Sequence, residues 1–271
     1  MNRRGLKQAS RQCLRDAQIS PMRMTLIFLL CAYLVVVPGN ILSYVLQCCL
    51  DRLKGLSSIG LRNRYNLWIT VITVIVNVAW LLWNAGYTAY TIRLSRGERA
   101  AFDDFYTGFR MFGKVLAVLV LQFLFIWLWS CLFLVPGLIA AYRYRMALFL
   151  QLDHPEYSAM ECINRSKELT QGHKGELFVL DLSFLWYYLL STAADVLMIL
   201  FYQNAFPLRG WAGFLTSYLI GLAVSTVVSV LWQPYVETTM AHAYNWLLSM
   251  HPSASGGAQL PHSPEAGGPE F

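Results

Sequence analysis

Five ionisable residues, Arg143, Arg145, Asp181, Asp195 and Glu237, lie inside or directly against long apolar runs. A charge at the centre of a membrane helix costs at least ~2.5–3.5 kcal/mol, so each needs a partner or a purpose. Arg143 and Arg145 come six to eight residues after a Pro136–Gly137 turn signal, about 9–12 Å along a helix. Asp195 falls late in the helix expected next and reaches a similar depth. An ion pair between Arg143 or Arg145 and Asp195 follows. It is either a substrate or ion site, or a structural pair that fixes the register of two helices. The two arginines are about 200° apart on a helix, so only one can face a given partner.

Asp181 shares a helix face with Asp195 but lies near the other end. Glu237 follows Pro234 at a depth near Asp181, and His173 and Lys174 are close in sequence. These four form a second polar group at the inner mouth of a bundle. It is either a proton relay or a set of interfacial residues solvated by headgroups. No catalytic constellation accompanies them. P-loop, GxSxG and HExxH motifs are absent. Asp103–Asp104 reads as a solvated loop, because neighbouring residues point different ways. His154, Glu156, Glu161 and Cys162 fit no zinc spacing. The six cysteines contain no C-x-x-C pair and read as small buried hydrophobes or free thiols. No metal and no cofactor are expected.

The elements that must hold these residues are membrane helices. Of 271 residues, 56% are hydrophobic and 13% charged, and residues 26–50, 67–92, 115–142 and 211–236 carry no charge at all. Crossing ~30 Å of hydrocarbon takes about 20 residues. This excludes a soluble enzyme, a disordered chain, a disulfide scaffold and a nucleic-acid-binding domain. The expected fold is all-α, a polytopic transmembrane bundle with spans near 25–50, 67–92, 115–135, 138–152, 176–203 and 211–233. Pro38–Gly39, Pro136–Gly137 and Pro234 are the expected helix breaks. Domain organisation follows: a basic cytoplasmic segment 1–24, a helical domain 25–250 with an amphipathic extension over 234–250, and a disordered tail 251–271.

Pro136–Gly137 is either a hairpin between two spans or a kink within one. Basic residues separate the alternatives. A hairpin gives six spans, with fourteen Lys and Arg inside and five outside; a kink gives twelve and nine. The positive-inside rule prefers the hairpin, with both termini cytoplasmic. The formal charge of +6 sits at the ends of the apolar runs, where anionic lipid headgroups are the expected partners and nucleic acid is not.

Two Ser-x-x-Glu stretches, Ser95–Glu98 and Ser158–Glu161, fit the capping box at a helix start. The second opens a helix over 158–171 that Gly172 ends, with a favourable Glu161–Arg165 pair, expected to lie at the inner membrane surface.

Three groups of residues together resemble a known family. They are Gly86-Tyr-Thr-Ala-Tyr90 with Leu94-Ser-Arg-Gly-Glu98, Phe102-Asp-Asp-Phe105 and Gly108-Phe109; Val135-Pro-Gly-Leu-Ile139 and Ala141-Tyr142 leading to Ser158-Ala-Met, Arg165-Ser-Lys-Glu-Leu169, Gly172-His-Lys174 and Leu177 to Phe184; and Pro234-Tyr235, Thr239 and Ala243-Tyr244. The chain resembles the bacterial integral membrane proteins grouped as domain-of-unknown-function family 975, over about 80–250. That resemblance implies a multi-pass protein of the bacterial cytoplasmic membrane. It implies no activity and carries over no catalytic residue.

Three functional readings follow. The first is a non-enzymatic membrane component that binds or moves a small or lipid-like molecule, or supports a membrane complex. The second is a purely structural partner of such a complex. The third, a membrane-embedded lipid-modifying enzyme, lacks a nucleophile or metal site in the sequence.

Overall fold

A computed structural model describes residues 2–17, 20–53, 59–190, 192–193, 196 and 211–251. Asp195, most of the second half of the expected 176–203 span, and the tail beyond His251 lie outside them. The described residues are helical and contain no strand. In chain order the helices are α1 (Arg3–Asp16), α2 (Pro21–Leu53), α3 (Ile59–Ser95), a 3-10 turn (Phe102–Tyr106), α4 (Thr107–Arg110) and α5 (Phe112–Leu132). They continue with α6 (Leu134–Tyr144), α7 (Ala147–Asp153), α8 (Ala159–Leu169), α9 (Lys174–Leu182) and α10 (Trp211–Met250), with further helix over 185–190.

Four stretches are long and apolar enough to cross a membrane: Pro21–Leu46, Asn63–Ser95, Phe112–Leu132 and Tyr218–Met250. They coincide with four of the six spans expected from sequence. The other two are not single helices among the described residues. The expected 138–152 span is split between α6 and α7 at Arg145–Met146, and neither piece alone covers ~30 Å. The expected 176–203 span breaks after α9, at Ser183–Phe184.

Burial divides the molecule lengthwise. Met24 and Phe28 of α2, Leu82 to Leu94 of α3, Val115 and Val118 of α5 and Val236 to Leu248 of α10 are buried together with α7, α8 and α9. The opposite stretches expose large apolar side chains, among them Leu34, Leu67, Trp68, Ile75, Phe123, Leu134 and Val227. At 1.5 Å per residue α3 is about 55 Å long and α10 about 60 Å, far beyond the thickness of the hydrocarbon. One end of each long helix is therefore covered by protein, forming a packed head, and the rest is an apolar shaft of the kind that lipid covers.

The chain reverses between α5 and α6. Gln122 donates from its side chain to the Tyr144 carbonyl, although 22 residues separate them, and the Phe125 and Tyr144 rings pack at a tilt with centroids 5.5 Å apart. A straight helix would hold these residues about 33 Å apart. Phe133 is the extended hinge residue. Pro136 sits in the first turn of α6, where its missing N–H costs nothing. Gly137 is buried against Ser130, where any Cβ would overlap the Ser130 side chain. The Pro136–Gly137 break is thus a hairpin.

The other two expected breaks do not interrupt the helices. α2 runs through Pro38 and α10 through Pro234. A proline removes one ladder bond, and in long apolar helices packing on both sides of the gap keeps the turns in place. Gly39 instead serves close packing, since a Cβ there would overlap Val76 of α3. Residues 234–250, expected as an amphipathic extension, lie in the packed head and are buried at Val236, Met240, Ala241, Ala243, Tyr244 and Leu247.

Of the two expected capping boxes, only one starts a helix. Ser158 accepts from the Glu161 N–H at 3.2 Å, Glu161 pairs with Arg165 at 3.0 Å, and Gly172 has φ +83°. Ser95 ends α3. Gly97 has φ +72°, its N–H bonds the Leu94 carbonyl, and the Glu98 N–H bonds the Arg93 carbonyl, the double bond that closes a helix on a left-handed glycine. The α8 face that packs against the head is Cys162, Ile163, Ser166 and Leu169, while Met160 is exposed.

Candidate functional site

The ion pair of the apolar region joins Arg145 to Asp181. Arg145 follows the last residue of α6, at its break with α7, and Asp181 lies in the last turn of α9, before the break at Ser183–Phe184. Broken helices supply free backbone groups and side chains at one depth, which continuous helices do not. Tyr142, one turn before Arg145, donates its hydroxyl to Asp181 Oδ2 at 2.9 Å. Arg145 donates to the same oxygen. Its guanidinium also lies 5.7 Å from the Tyr142 ring centroid. The second oxygen, Oδ1, is buried and has no hydrogen-bond partner among the described residues. Glu237 of α10 is half-buried and lies within the fields of both Arg145 and Asp181, as well as of Tyr187 and Tyr188. One carboxylate therefore pairs with the guanidinium and a second lies within its field.

This arrangement differs from the expected pairing. The depth count from Gly137 started too late, because the chain reverses at Phe133 and α6 carries Arg145 about 16 Å from the turn. Arg145 thus reaches Asp181 in the last turn of α9. Asp195, the expected partner, lies outside the described residues. Arg143 points elsewhere, as its 200° separation requires. Its carbonyl accepts from Ser166 Oγ at 3.0 Å and Thr170 Oγ1 at 3.3 Å, which tie α8 to the end of α6. The expected group of Asp181, Glu237, His173 and Lys174 is divided. Glu237 lies within the field of Asp181, while His173 pairs with Glu176 at 2.8 Å and packs on Trp246, two turns from Asp181.

A second polar centre lies inside the head. Arg96, just past the end of α3, forms a two-pronged ion pair with Asp153 at the end of α7, at 2.6 and 2.7 Å. Tyr244 of α10 donates to Asp153 at 2.9 Å, and Arg96 reaches Asn245 Oδ1 at 3.2 Å. Asn245 donates to Ser95 Oγ at 2.8 Å. Burial by itself raises the Asp153 carboxyl, but the Arg96 fork and charge and the Tyr244 hydroxyl outweigh it and hold it below the usual carboxylate range. Burial likewise acts to lower the Arg96 guanidinium, and Asp153 reverses the sign. The sequence analysis assigned none of these residues to a polar centre, although Ser95, Arg96 and Tyr244 fall within the stretches that carry the resemblance. Each is a common polar residue at the end of an apolar run, and only the fold brings α3, α7 and α10 together.

Asp104 is also buried, where a solvated loop was expected. It pairs with Arg93 and accepts from the Ala101 N–H at 2.8 Å, while Asp103 stays exposed and pairs with Arg110. His154 contacts Glu156 at 3.1 Å, and Cys162 donates to Gln151 at 3.5 Å. No three His, Cys, Asp or Glu residues gather among the described residues. Burial pushes the Cys162 thiol up to about 11. The thiolate is the reactive form. At pH 8 native Cys162 is therefore expected to resist N-ethylmaleimide and to react only once the protein is unfolded, as peptide mass spectrometry after timed labelling would show.

The α1 helix closes one side of the head. Leu6, Ser10, Cys13 and Leu14 face the protein. Lys7 lies 4.3 Å from the Phe184 ring centroid and Arg11 5.4 Å from that of Tyr235, while Cys13 donates to the Leu94 carbonyl. The apolar residues at 6, 13 and 14 carry a helical period that the basic composition of the segment hides.

Residues 132–251 match a family model described as Protein of unknown function (DUF975). The match contains Arg145, Asp181 and Glu237 and covers less than half of the chain. The Gly86–Phe109 motifs of the resemblance lie outside the matched residues. No curated protein and no solved structure matches the chain.

Proposed function

We propose that this chain, similar to the DUF975 family over residues 132–251, is a non-enzymatic component of the bacterial cytoplasmic membrane, and that its Arg145–Asp181–Glu237 site binds a proton or a small cationic species, for transport or for coupling to a membrane complex. The observation that carries the reading is the charge imbalance at the junction of two broken helices. Arg145 pairs with Asp181 and lies in the field of a second carboxylate, Glu237, and one Asp181 oxygen is buried without a hydrogen-bond partner among the described residues. Membrane interiors tolerate such an imbalance poorly, and a bound proton or cation neutralises it.

Six crossings, with both termini cytoplasmic, fit the hairpin at Phe133 and the crowding of basic residues at the packed head. Arg3, Arg4, Arg11, Arg15, Arg93, Arg99 and Arg110 are exposed there. The fourth crossing is then the α6–α7 pair and the fifth begins at α9, each broken where the ion pair sits.

Proteoliposomes under an imposed pH gradient, with an internal pH dye, test the proposal. Wild-type protein is expected to carry protons or to couple them to an added small cation. Asp181→Asn and Glu237→Gln should each lower that flux at least about tenfold. Equal flux in wild type and both variants, with folding retained, would refute the site. A structural role alone predicts lowered stability with no gradient-dependent signal in any form.

A further inference from the structure

A polar cleft opens in the packed head between the C-terminal end of α1 and the turn that follows α3. It encloses about 660 Å³, within the range of small-ligand sites. Cys13 and Asp16 line it from α1, Tyr90 from α3, and Arg96, Glu98 and Arg99 from the turn. Both sides are fixed. Cys13 donates its thiol to the Leu94 carbonyl at 2.9 Å, which pins α1 to the end of α3. The Gly97 and Glu98 N–H groups bond the Leu94 and Arg93 carbonyls at 3.1 Å, and the Ala101 N–H bonds Asp104 at 2.8 Å. The stretch that carries Glu98 and Arg99 is therefore anchored at both ends.

Some polar groups of the lining are already committed. Arg96 holds Asp153 and Asn245, and the Ser95 hydroxyl donates to the Ile92 carbonyl and accepts from Asn245. The rest are open. Asp16, Glu98 and Arg99 are exposed, and their side chains make no ion pair or hydrogen bond with any described residue. Tyr90 is the fourth open group and is only 2% exposed. Its ring is held by Phe105 and Tyr87, with centroids 5.3 and 5.9 Å away. Its hydroxyl has no hydrogen bond to a described residue, and the oxygens of nearby Asp104 are taken by Arg93 and the Ala101 N–H. A buried hydroxyl without a protein partner is costly, so this one must be served from the cleft.

We propose that this cleft is a binding site for a dibasic amino acid. The open groups of the lining carry two negative charges and one positive, and such a ligand carries two ammonium groups and one carboxylate. Asp16 and Glu98 each meet an ammonium group. Arg99 takes the carboxylate, which its planar fork matches. The Tyr90 hydroxyl adds a hydrogen bond from the buried side. An anionic ligand would meet Asp16 and Glu98 with like charge, and a plain diamine would leave Arg99 unmatched. The site is separate from the Arg145–Asp181 pair and does not depend on its function.

The test titrates full-length protein in detergent with L-lysine, followed by calorimetry. Cadaverine, which lacks the carboxylate, and aminocaproate, which lacks the second ammonium group, are the comparison ligands. Wild type is expected to bind lysine, and to bind each comparison ligand at least about tenfold more weakly, the loss of one charge-assisted contact. Arg99→Gln should weaken lysine about tenfold and leave cadaverine unchanged. Asp16→Asn and Glu98→Gln should each weaken lysine to a similar degree. All three positions are exposed, so these variants keep the fold. Tyr90→Phe, which retains the packed ring, should weaken lysine about threefold. No lysine binding by folded wild type, or equal lysine affinity in wild type and all three charge variants, would overturn the site. Cadaverine bound as tightly as lysine would overturn the pairing of Arg99 with the carboxylate.

Discussion

Arg96→Ala is expected to destabilise the protein by about 3 kcal/mol, the cost of leaving one partner of a buried ion pair uncompensated. The Arg96 and Asp153 side chains are only 16% and 12% exposed, and Asp153 also holds the Tyr244 hydroxyl, so one deletion loosens three helices. Thermal unfolding in detergent measures this. Replacing both residues, as in Arg96→Met with Asp153→Leu, should recover most of the loss, because the cost lies in the orphaned charge rather than in the missing attraction. The pH dependence has a definite sign. The folded Asp153 carboxyl lies below its ordinary value of 3.8, so the pair contributes fully above that value. The contribution fades as pH falls below it and through the depressed folded value. Wild-type stability should drop in that acid window, and the drop should be smaller in the double variant. Parallel pH profiles for the two proteins would show that Asp153 is not the titrating group.

Gly86→Ala and Gly108→Ala should each cost about 3 kcal/mol, near the upper end for overpacking. A Cβ at Gly86 would overlap the Phe105 carbonyl, and one at Gly108 the Leu82 carbonyl. Both obstacles are backbone, so no side-chain rotation relieves them. The two glycines lie on opposite partners of one interface, α3 against the 102–110 segment. The paired variant should therefore cost less than the sum of the two, since a segment already displaced by the first change no longer clashes at the second. Gly113→Ala is the control. Nothing lies within 4 Å of its Cβ position, and alanine in a helix is about 1 kcal/mol better than glycine. Chemical denaturation in mild detergent would rank the three. A Gly86→Ala protein as stable as wild type would mean that the 102–110 segment does not dock on α3 in this register.

Much of the architecture was legible from the chain because it depends on quantities that add along the sequence. Charge-free runs of oil-like residues mark α2, α3, α5 and α10 wherever they pack, since desolvation acts on each residue separately. Local capping chemistry was readable for the same reason at Ser158, where the hydroxyl meets an N–H three residues away. At Ser95 the same four-residue pattern failed. Gly97 closes the preceding helix, and whether a pattern starts or stops a helix depends on what its flanks pack against.

The ion pairs belong to the tertiary structure. Counting residues along a presumed span put Arg143 or Arg145 opposite Asp195, which lies outside the described residues, and did not point to Asp181, because a shift of three or four residues in the turn moves a side chain about 5 Å and to another face. The breaks at Arg145–Met146 and Ser183–Phe184, which bring Arg145 to Asp181, have no local marker comparable to Pro136–Gly137. The proline at 38, the strongest local marker of all, leaves its helix continuous. Composition determined that four helices are long and apolar enough to lie among lipid tails, because transfer free energies are summed residue by residue. Which few charges meet there, Arg145 with Asp181 and Arg96 with Asp153, only the folded chain decided, because an ion pair is a property of two distant residues and of the packing that leaves each no other partner.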